Sequence, residues 1–306
     1  MPEVSIVIPS YRGAQRLPRL VRALRAQQGA AWEAIIVIDG VVDDSVDVVE
    51  RLRGDAPITV LPLAANQGRA AALNAGFAAA AGEVLVRCDD DVEPRADFAA
   101  AHHRLHEGRR VGVVGPCEDV FADTAYARAY GRPADKRVRE AWYVTPPDEA
   151  WRLWSGNVSV TREVYDQVGD YDTGFREYGW EDVDWGYRLH LLGLSVVVGR
   201  EVEALHHNPA TSVRERAERA FASGGSRRRF ERKHGPTAAA LLASPASWRG
   251  PWNVAVGVTA AALNERTLGP ITGALDRLVE HSPRAVGEKL AALGVEAAGR
   301  AGRTAG

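Results

Sequence analysis

The chain has 306 residues, of which 46% are hydrophobic and 25% are charged. This composition is typical of a soluble globular protein whose core needs no disulfides or structural metal to hold it together. The formal net charge of -2 excludes a general attraction to nucleic acid, so we expect no nucleic-acid partner. Two cysteines, Cys88 and Cys117, make no disulfide framework and favour a reducing compartment.

The sequence predicts neither a secretory signal nor a membrane span. Residues 1–3 lead directly into a strand-like run, without a basic start and an apolar stretch. The longest mildly apolar stretch, residues 253–263, is shorter than the roughly 18–20 residues that cross a bilayer. We therefore expect a cytoplasmic protein, and peripheral contact with the inner face of a membrane stays open.

Short apolar runs alternate with helical patterns through the first half of the chain. Helices are predicted near residues 17–24, 44–53 and 69–81. Strands are predicted at residues 4–8, 34–38, 58–61, 83–86 and 111–114. Strands that alternate with helices favour a parallel, doubly wound sheet, which binds its ligands at the carboxyl ends of its strands.

The pattern loosens in the second half. Residues 118–150 carry aromatics, charges and a Pro-Pro pair, and they predict an irregular connection. Two helices at residues 161–168 and 181–192, then short strands at 195–198 and 202–205, are predicted next. A basic run over residues 212–234 is interpreted as a solvated helix face, or as a segment that contacts a diphosphate or anionic lipid.

Three adjacent carboxylates, Asp89, Asp90 and Asp91, directly follow the fourth predicted strand. Hard oxygen ligands of this kind suit Mg2+ or Mn2+, and such an ion would neutralise a diphosphate. A solvated acidic loop explains the run equally well.

A second acidic group, Glu181 and Asp182, begins a predicted helix. A carboxylate at a helix N-terminus is commonly only a stabilising charge. The functional interpretation of Asp182 is a general base that removes a proton from an acceptor hydroxyl.

Histidines occur in two groups. His206 and His207 follow a short predicted strand, and an imidazole is a common metal ligand where carboxylates are present. His102, His103 and His106 share a predicted helix, but no carboxylate pattern accompanies them.

Polar residues also follow the first three predicted strands. Tyr11 would stack on a nucleobase, Asp39 would accept a hydrogen bond from a nucleobase N–H, and Arg69 would contact the nucleobase or a phosphate. Ordinary caps and turns explain each of them singly.

Taken in chain order, these segments resemble the family 2 inverting glycosyltransferases with the GT-A fold, from about residue 4 to about residue 235. Residues 4–12, 35–39 and 66–76 are similar to that family's first strand and turn, second strand, and third helix entry. Asp89–Asp91 resembles its DxD motif, and residues 155–157 with residues 168–172 resemble its acceptor-side segment. Residues 179–189 are the most specific match.

The resemblance implies an α/β fold of GT-A type, with a doubly wound, mostly parallel sheet flanked by helices. It implies a catalytic domain over residues 1–235, with a nucleotide-binding half at 1–115 and an acceptor-binding half at 116–235. A helical C-terminal extension follows at 236–306. The implied reaction moves a sugar from a nucleotide-sugar donor, UDP by default, to a glycan, lipid-linked or small-molecule acceptor, assisted by Mn2+ or Mg2+.

The resemblance also assigns site residues. The implied catalytic residues are Asp182 and Glu181, and the implied metal ligands are Asp89, Asp91 and His206, with His206 favoured over His207. The implied nucleotide-sugar contacts are Pro9, Tyr11, Arg12, Asp39, Arg69, Asp89 and Asp90. The implied acceptor contacts are Trp154, Gly156, Asn157 and Trp180, although core packing accounts equally well for either Trp.

One segment departs from the family pattern. The family often has Asp-Asp-Gly-Ser after its second strand, whereas Asp39 is followed here by Gly-Val-Val. The contacts to the nucleobase of the donor, and the identity of that nucleobase, therefore stay open.

Rival functions make different demands on the sequence. A dehydrogenase needs Gly-x-Gly-x-x-Gly after the first strand, where residues 9–13 read Pro-Ser-Tyr-Arg-Gly. A nucleotidyltransferase needs a Gly- and Arg/Lys-rich loop near residues 10–20, which the sequence lacks. A non-catalytic nucleotide-sugar-binding protein on the same fold stays as the alternative, although the intact Asp89, Asp91 and Asp182 argue against it.

Overall fold

The computed structural model describes residues 1–176, 178–242 and 250–305. The chain divides into two compact units. Unit 1 comprises Met1–Val120, Val138–Arg176 and Glu181–His207, and unit 2 comprises Phe121–Arg137, Glu177–Trp180 and Asn208–Gly306. Within the predicted extension at 236–306, residues 243–249 and 306 lie outside the described part of the chain.

Unit 1 is built on a seven-stranded sheet and a smaller three-stranded sheet. The strands are β1 Val4–Ser10, β2 Trp32–Ile38, β3 Ile58–Pro62, β4 Val84–Cys88, β5 Val92–Glu93, β6 Gly112–Val114, β7 Cys117–Asp119, β8 Asn157–Thr161, β9 Val196–Val198 and β10 Ala204–His206. The large sheet has the order β3-β2-β1-β4-β8-β6-β9, and only β8 runs antiparallel to its neighbours in it. The small sheet has the order β5-β10-β7. The predicted mostly parallel sheet is confirmed.

Helices flank the large sheet, as predicted. The helices in this part of the chain are α1 Leu17–Arg25, α2 Ser45–Arg53, α3 Arg69–Ala79, α4 Phe98–His106, α5 Arg132–Trp142, α6 Arg162–Val168 and α7 Glu181–Leu191. Residues 132–137 of α5 belong to unit 2. Helix α1 shows why the periodicity predicted them: Leu17, Leu20, Val21 and Leu24 lie on one face and are all buried. The core of this unit lies between such helix faces and the buried strands β1, β2 and β4.

Two expectations about the second half were wrong. Residues 118–150 are not irregular, because α5 and a π-helical turn at Ala127–Gly131 lie within them. Helix α5 buries no residue and is mostly polar and charged, so no strongly apolar face marks it in the sequence. Strand β8 was also missed, since its buried positions include Asn157 and Ser159, which read as polar.

In unit 2, the described residues after Asn208 form four helices: α8 Val213–Leu241, α9 Pro251–Ala262, α10 Leu268–His281 and α11 Arg284–Thr304. Helix α8 is kinked at Gly235, whose φ of 76° is accessible to glycine at little cost, and Pro236 follows it. The domain boundary at residue 235 stays a prediction.

The basic run lies on α8, where several of its arginines are paired along the helix. Arg214 contacts Glu218, Arg219 contacts Glu215, and Arg227 contacts Glu231. Among the described helices, none combines the length and apolar character that crossing a membrane requires.

Candidate active site

Five charged side chains meet where β4 ends and α7 begins, and we call them the ionic cluster: Arg69, Arg87, Asp89, Glu181 and Asp182. Arg87 donates from Nε to Oδ1 of Asp89 at 2.8 Å and from Nη2 to Oδ2 at 3.2 Å. Its Nη1 donates to Oδ1 of Asp182. Arg69 donates from Nη1 to Oε1 of the buried Glu181 at 3.2 Å. The fold therefore brings the predicted base beside the first Asp of the DxD motif.

Burial and charge separate the proton affinities of two carboxylates in this cluster. Burial opposes ionisation of Asp89, but Arg87 and Arg69 outweigh it and lower its pKa to about 2. Burial raises the pKa of Asp182 to about 7; Arg87 opposes this shift and Glu181 adds to it. Two carboxyl groups with such different pKa values suit different roles, and the raised pKa of Asp182 is the one that suits proton exchange near neutral pH.

Gly156, a predicted acceptor contact, lies directly against Asp89. The backbone N–H of Asp89 donates to the Gly156 carbonyl at 2.9 Å. A Cβ at position 156 would lie 2.6 Å from the carboxylate carbon of Asp89. Glycine is therefore required here to leave room for that carboxylate.

Asp90 has partners of its own, away from the ionic cluster. It accepts from Ser10 Oγ at 2.5 Å and from two nitrogens of Arg16 at 2.8 and 2.9 Å. Its carboxylate thus joins the end of β1 to the start of α1. These partners account for its burial, because a buried carboxylate must be paired.

The third Asp of the motif lies beside His206. Strand β10 pairs with β7 in a register that sets His206 next to Asp119. The two side chains bond through Nδ1 of His206 and Oδ1 of Asp119 at 2.6 Å, and Nε2 lies 3.4 Å from Oδ2 of Asp91. Burial lowers the pKa of His206, but its bonds to Asp119 and Asp91 outweigh burial and raise that pKa to about 10. A cation bound at Nε2 would therefore have to displace the proton held there, because a metal-bound imidazole is neutral. His207 instead contacts Glu93, at 2.5 Å.

This arrangement fits a divalent cation that is shared with a substrate. The described residues hold no ready-made group of three His, Cys, Asp or Glu ligands. However, ligand atoms that share one ion lie about 3 Å apart, and Mg2+ commonly takes one or two carboxylates plus substrate phosphates. Asp91 and His206 supply such a pair, with Asp119 orienting the imidazole. Both oxygens of Asp89 are bonded to Arg87 instead.

The predicted nucleotide contacts differ in how available they are. Asp39 accepts from the backbone N–H groups of Gln67 at 2.7 Å and Gly68 at 2.9 Å, so it holds the turn before α3. Tyr11 is 39% exposed, and the Arg12 guanidinium lies 5.3 Å from its ring centre. Pro9 is buried within β1. Of these predicted contacts, Tyr11 and Arg12 are therefore the ones whose side chains are exposed at the end of β1.

The other three predicted acceptor contacts are buried or bonded to residues of the same unit. Trp154 is 3% exposed, donates to the Tyr171 hydroxyl at 3.0 Å, and stacks on Trp185 with ring centres 4.9 Å apart. Asn157 is fully buried. Trp180 belongs to unit 2, where its indole donates to Ser223 at 2.9 Å. Their contact with an acceptor stays a prediction.

A second buried polar group in unit 1, which we call the imidazole cluster, consists of His102, His106, Ser159 and Asn157. Because the Asn157 amide nitrogen donates to the Val202 carbonyl, its oxygen accepts from His102 Nε2 at 3.1 Å. His102 Nδ1 then accepts from Ser159 Oγ at 2.8 Å, and His106 Nε2 donates to that oxygen at 2.7 Å. Burial lowers the pKa of His102 to about 3 and of His106 to about 4, so both imidazoles are neutral at pH 7.

Sequence reasoning missed Arg87 and Asp119. A sequence signal for Arg87 exists, because a charged residue within an apolar strand is rarely buried without a partner of opposite charge. No comparable signal marks Asp119, since only the register of β7 against β10 sets it beside His206.

The sheet, with its acidic motif at the end of β4, defines a GT-A type fold. A solved structure confirms it: a mannosyltransferase, PcManGT from Pyrobaculum calidifontis, in complex with GDP-Man and Mn2+, matches with a TM-score of 0.66. The match covers 98% of this chain and 87% of that chain at 20% sequence identity.

The chain belongs to glycosyl transferase family 2, whose sequence profile matches residues 5–167, more than half of its length. A profile described as the N-terminal domain of galactosyltransferase matches residues 136–208.

Two curated relatives have narrower names. Undecaprenyl-phosphate 4-deoxy-4-formamido-L-arabinose transferase of Pseudomonas syringae is 31% identical over 59% of this chain and 48% of its own length. Validoxylamine A glucosyltransferase of Streptomyces hygroscopicus is 28% identical over 67% of this chain and 56% of its own length. The chain spans less than two thirds of the length of the curated relatives that it matches.

Proposed function

We propose that the protein transfers a sugar from a nucleoside-diphosphate sugar to an acceptor hydroxyl by direct displacement, with inversion at the anomeric carbon. The observation that carries this proposal is the shared guanidinium of Arg87, which contacts both Asp89 and Asp182. Family membership supports the class of reaction, and the ionic cluster supplies a base beside the motif expected to face the donor.

In this mechanism Asp182 accepts the proton of the acceptor hydroxyl as that oxygen attacks the anomeric carbon. The bond from the anomeric carbon to the diphosphate breaks, and its electron pair goes to the diphosphate oxygen. The side chain of Arg69, which is 41% exposed, lies at the cluster and meets part of that charge. A divalent cation held by Asp91 and His206 would supply further charge compensation.

For the donor, we retain UDP as the default nucleotide, with GDP and dTDP as alternatives. Tyr11 and Arg12 are the proposed contacts to the nucleotide, because they are exposed at the end of β1. Asp39 is the weaker candidate, since both of its oxygens already accept backbone N–H groups.

For the acceptor, we favour a lipid-linked molecule at an anionic membrane surface. Unit 2 carries 19 Lys and Arg residues against 11 Asp and Glu residues, a formal net charge of +8. Such a charge is attracted to anionic headgroups. A relative named for transfer involving undecaprenyl-phosphate supports the same choice. We expect the protein to sediment with phosphatidylglycerol vesicles but not with phosphatidylcholine vesicles. Equal sedimentation with both would reject the proposed attraction to an anionic surface.

A nucleotide-release assay tests the proposed reaction. Purified protein is incubated with UDP-, GDP- and dTDP-sugars and Mn2+ or Mg2+, with and without EDTA. We expect release of one nucleotide, abolished by EDTA and lowered about 1,000-fold by Asp182→Asn. The control Asp55→Asn changes an exposed carboxylate and should keep the wild-type rate. Cation-dependent thermal stabilisation by a nucleotide, without turnover of any donor and acceptor offered, would favour the binding-protein alternative.

A further inference from the structure

We propose that Arg87 is a positioning residue that holds the Asp182 carboxylate with one oxygen free for the acceptor hydroxyl. This inference rests on the proposed role of Asp182 as the base. It adds a residue that touches neither donor nor acceptor and acts through the carboxylates that it holds.

Packing alone does not explain an arginine at this position. Arg87 lies within β4, where all five residues are buried, and its side chain is fully inaccessible to solvent. Its register partners are Val7 on β1 and Val158 on β8, so an apolar residue would suit the sheet. Taking a guanidinium out of water is costly, and apolar replacements of buried ion pairs are commonly tolerated or stabilising.

The contacts of Arg87 fix the orientation of its guanidinium. Its Nε and Nη2 form a two-point contact with Asp89, which sets the plane and rotation of the group. The ring of Tyr171 lies 6.0 Å from the guanidinium carbon. The remaining edge, Nη1, then points to Oδ1 of Asp182.

Asp182 keeps its other oxygen available. Nowhere in the described chain does a donor bond Oδ2 of Asp182, and the side chain is 14% exposed. A contact with Arg87 through Oδ1 alone restricts the rotation of the carboxylate and leaves Oδ2 for a ligand. An acceptor hydroxyl donates a hydrogen bond and then its proton to such an atom.

Charge makes Arg87 difficult to replace. Three carboxylates, Asp89, Glu181 and Asp182, share the cluster, and Arg69 is bonded to Glu181. Without Arg87, Asp89 and Asp182 would face each other with no cation bonded to either. Lysine offers a point charge rather than a planar fork, so it cannot hold both carboxylates in the same way.

A double-mutant cycle tests the inference through kcat of the transfer reaction, with Arg87→Met, Asp182→Asn and the double variant. We expect each single change to lower kcat by about 100-fold or more, because a positioned base contributes that much. The double variant should lie within about threefold of Asp182→Asn, because coupled residues are not additive. The KM for the acceptor should stay within about threefold in Arg87→Met, while Arg87→Lys should recover part of kcat.

Controls separate this role from a structural one. Arg110→Met changes an exposed arginine of the same unit and should leave kcat and KM unchanged. Melting temperatures identify variants that do not fold. If Arg87→Met is one of them, Arg87→Lys takes its place in the cycle.

Two failures are distinguishable. A kcat of Arg87→Met within threefold of wild type, or losses that multiply in the double variant, would overturn the role of Arg87 and leave Asp182 as the base. Full activity of Asp182→Asn would overturn the proposed base, and the inference with it.

Discussion

The ionic cluster and the imidazole cluster are both buried polar groups of unit 1, yet they differ in what they leave for a ligand. In the ionic cluster, carboxyl groups lie beside arginines, and the partly exposed Asp182 keeps one oxygen open. In the imidazole cluster the groups are neutral, and His102 and His106 are 0% and 5% exposed. Burial of titratable groups therefore does not by itself mark a site; an accessible atom beside them does.

This difference predicts different consequences of substitution. Changes in the ionic cluster should alter the rate of the reaction, whereas changes in the imidazole cluster should alter the free energy of unfolding. Each of the following measurements tests that division.

The largest expected effect is the loss of rate in acid. Because the pKa of Asp182 is raised to about 7 and only the ionised carboxylate accepts a proton, the rate should fall as pH drops below 7. A single titrating base lowers the rate about tenfold per pH unit, so pH 5 should be about 100-fold slower than the plateau. Initial rates between pH 5 and 9 measure this.

Circular dichroism at each pH shows whether the protein is still folded in that assay. Asp182→Asn should give a flat profile over the same range. A wild-type rate that does not change between pH 5 and 8 would argue that Asp182 is not the titrating base.

The next effect concerns the cation. Asp119→Asn removes the charge that faces His206 Nδ1, and loss of such an orienting carboxylate typically weakens metal affinity about 10- to 100-fold. The Mn2+ concentration that gives half-maximal rate measures the change. The matched control is Glu93→Gln, since Glu93 faces His207. A larger rise in this Mn2+ concentration for Glu93→Gln than for Asp119→Asn would indicate that His207, not His206, is the metal ligand.

A smaller effect is expected for stability in the imidazole cluster. Ser159→Ala removes the hydroxyl that bonds both imidazoles, and each buried polar atom left unpaired costs about 1–3 kcal/mol. Urea denaturation at pH 7 should show this loss, while kcat of the folded protein changes less than about twofold. Ser195→Ala, at an exposed position, should stay within about 0.5 kcal/mol of wild type. A large fall in kcat for Ser159→Ala without loss of stability would contradict the division.

The sequence predicted most of the framework and the carboxylates of the site, because both follow local patterns. Asp89 follows an apolar strand and Asp182 begins an amphipathic helix, and each lies where the pattern placed it. Contacts between segments far apart in the chain were beyond reach: helix packing sets the pair Arg87–Asp182, and strand register sets the pair His206–Asp119. The same limit applies to Asp39, whose oxygens are bonded by a turn that the sequence shows only as loop residues.

The last prediction compares how the two clusters respond to acid in the free energy of unfolding. The pKa values of His102 and His106 are lowered to about 3 and about 4, so below about pH 6.5 the unfolded chain binds protons that the folded chain does not. Stability should therefore fall by about 1.4 kcal/mol per pH unit for each His between pH 6 and 4.5. Asp182 has the opposite sign, because its raised pKa makes the folded state the better proton acceptor between about pH 4 and 7.

Urea denaturation at pH 7, 6 and 5 should thus give a steeper loss of stability in Asp182→Asn than in wild type, and a shallower loss in His102→Leu. Ser195→Ala, which changes an exposed group that does not titrate in this range, should leave the slope unchanged. Equal slopes in Asp182→Asn and His102→Leu would mean that the two clusters do not differ in charge state. Opposite changes would show that burial in one fold raises the pKa of a carboxyl group and lowers the pKa of two imidazoles.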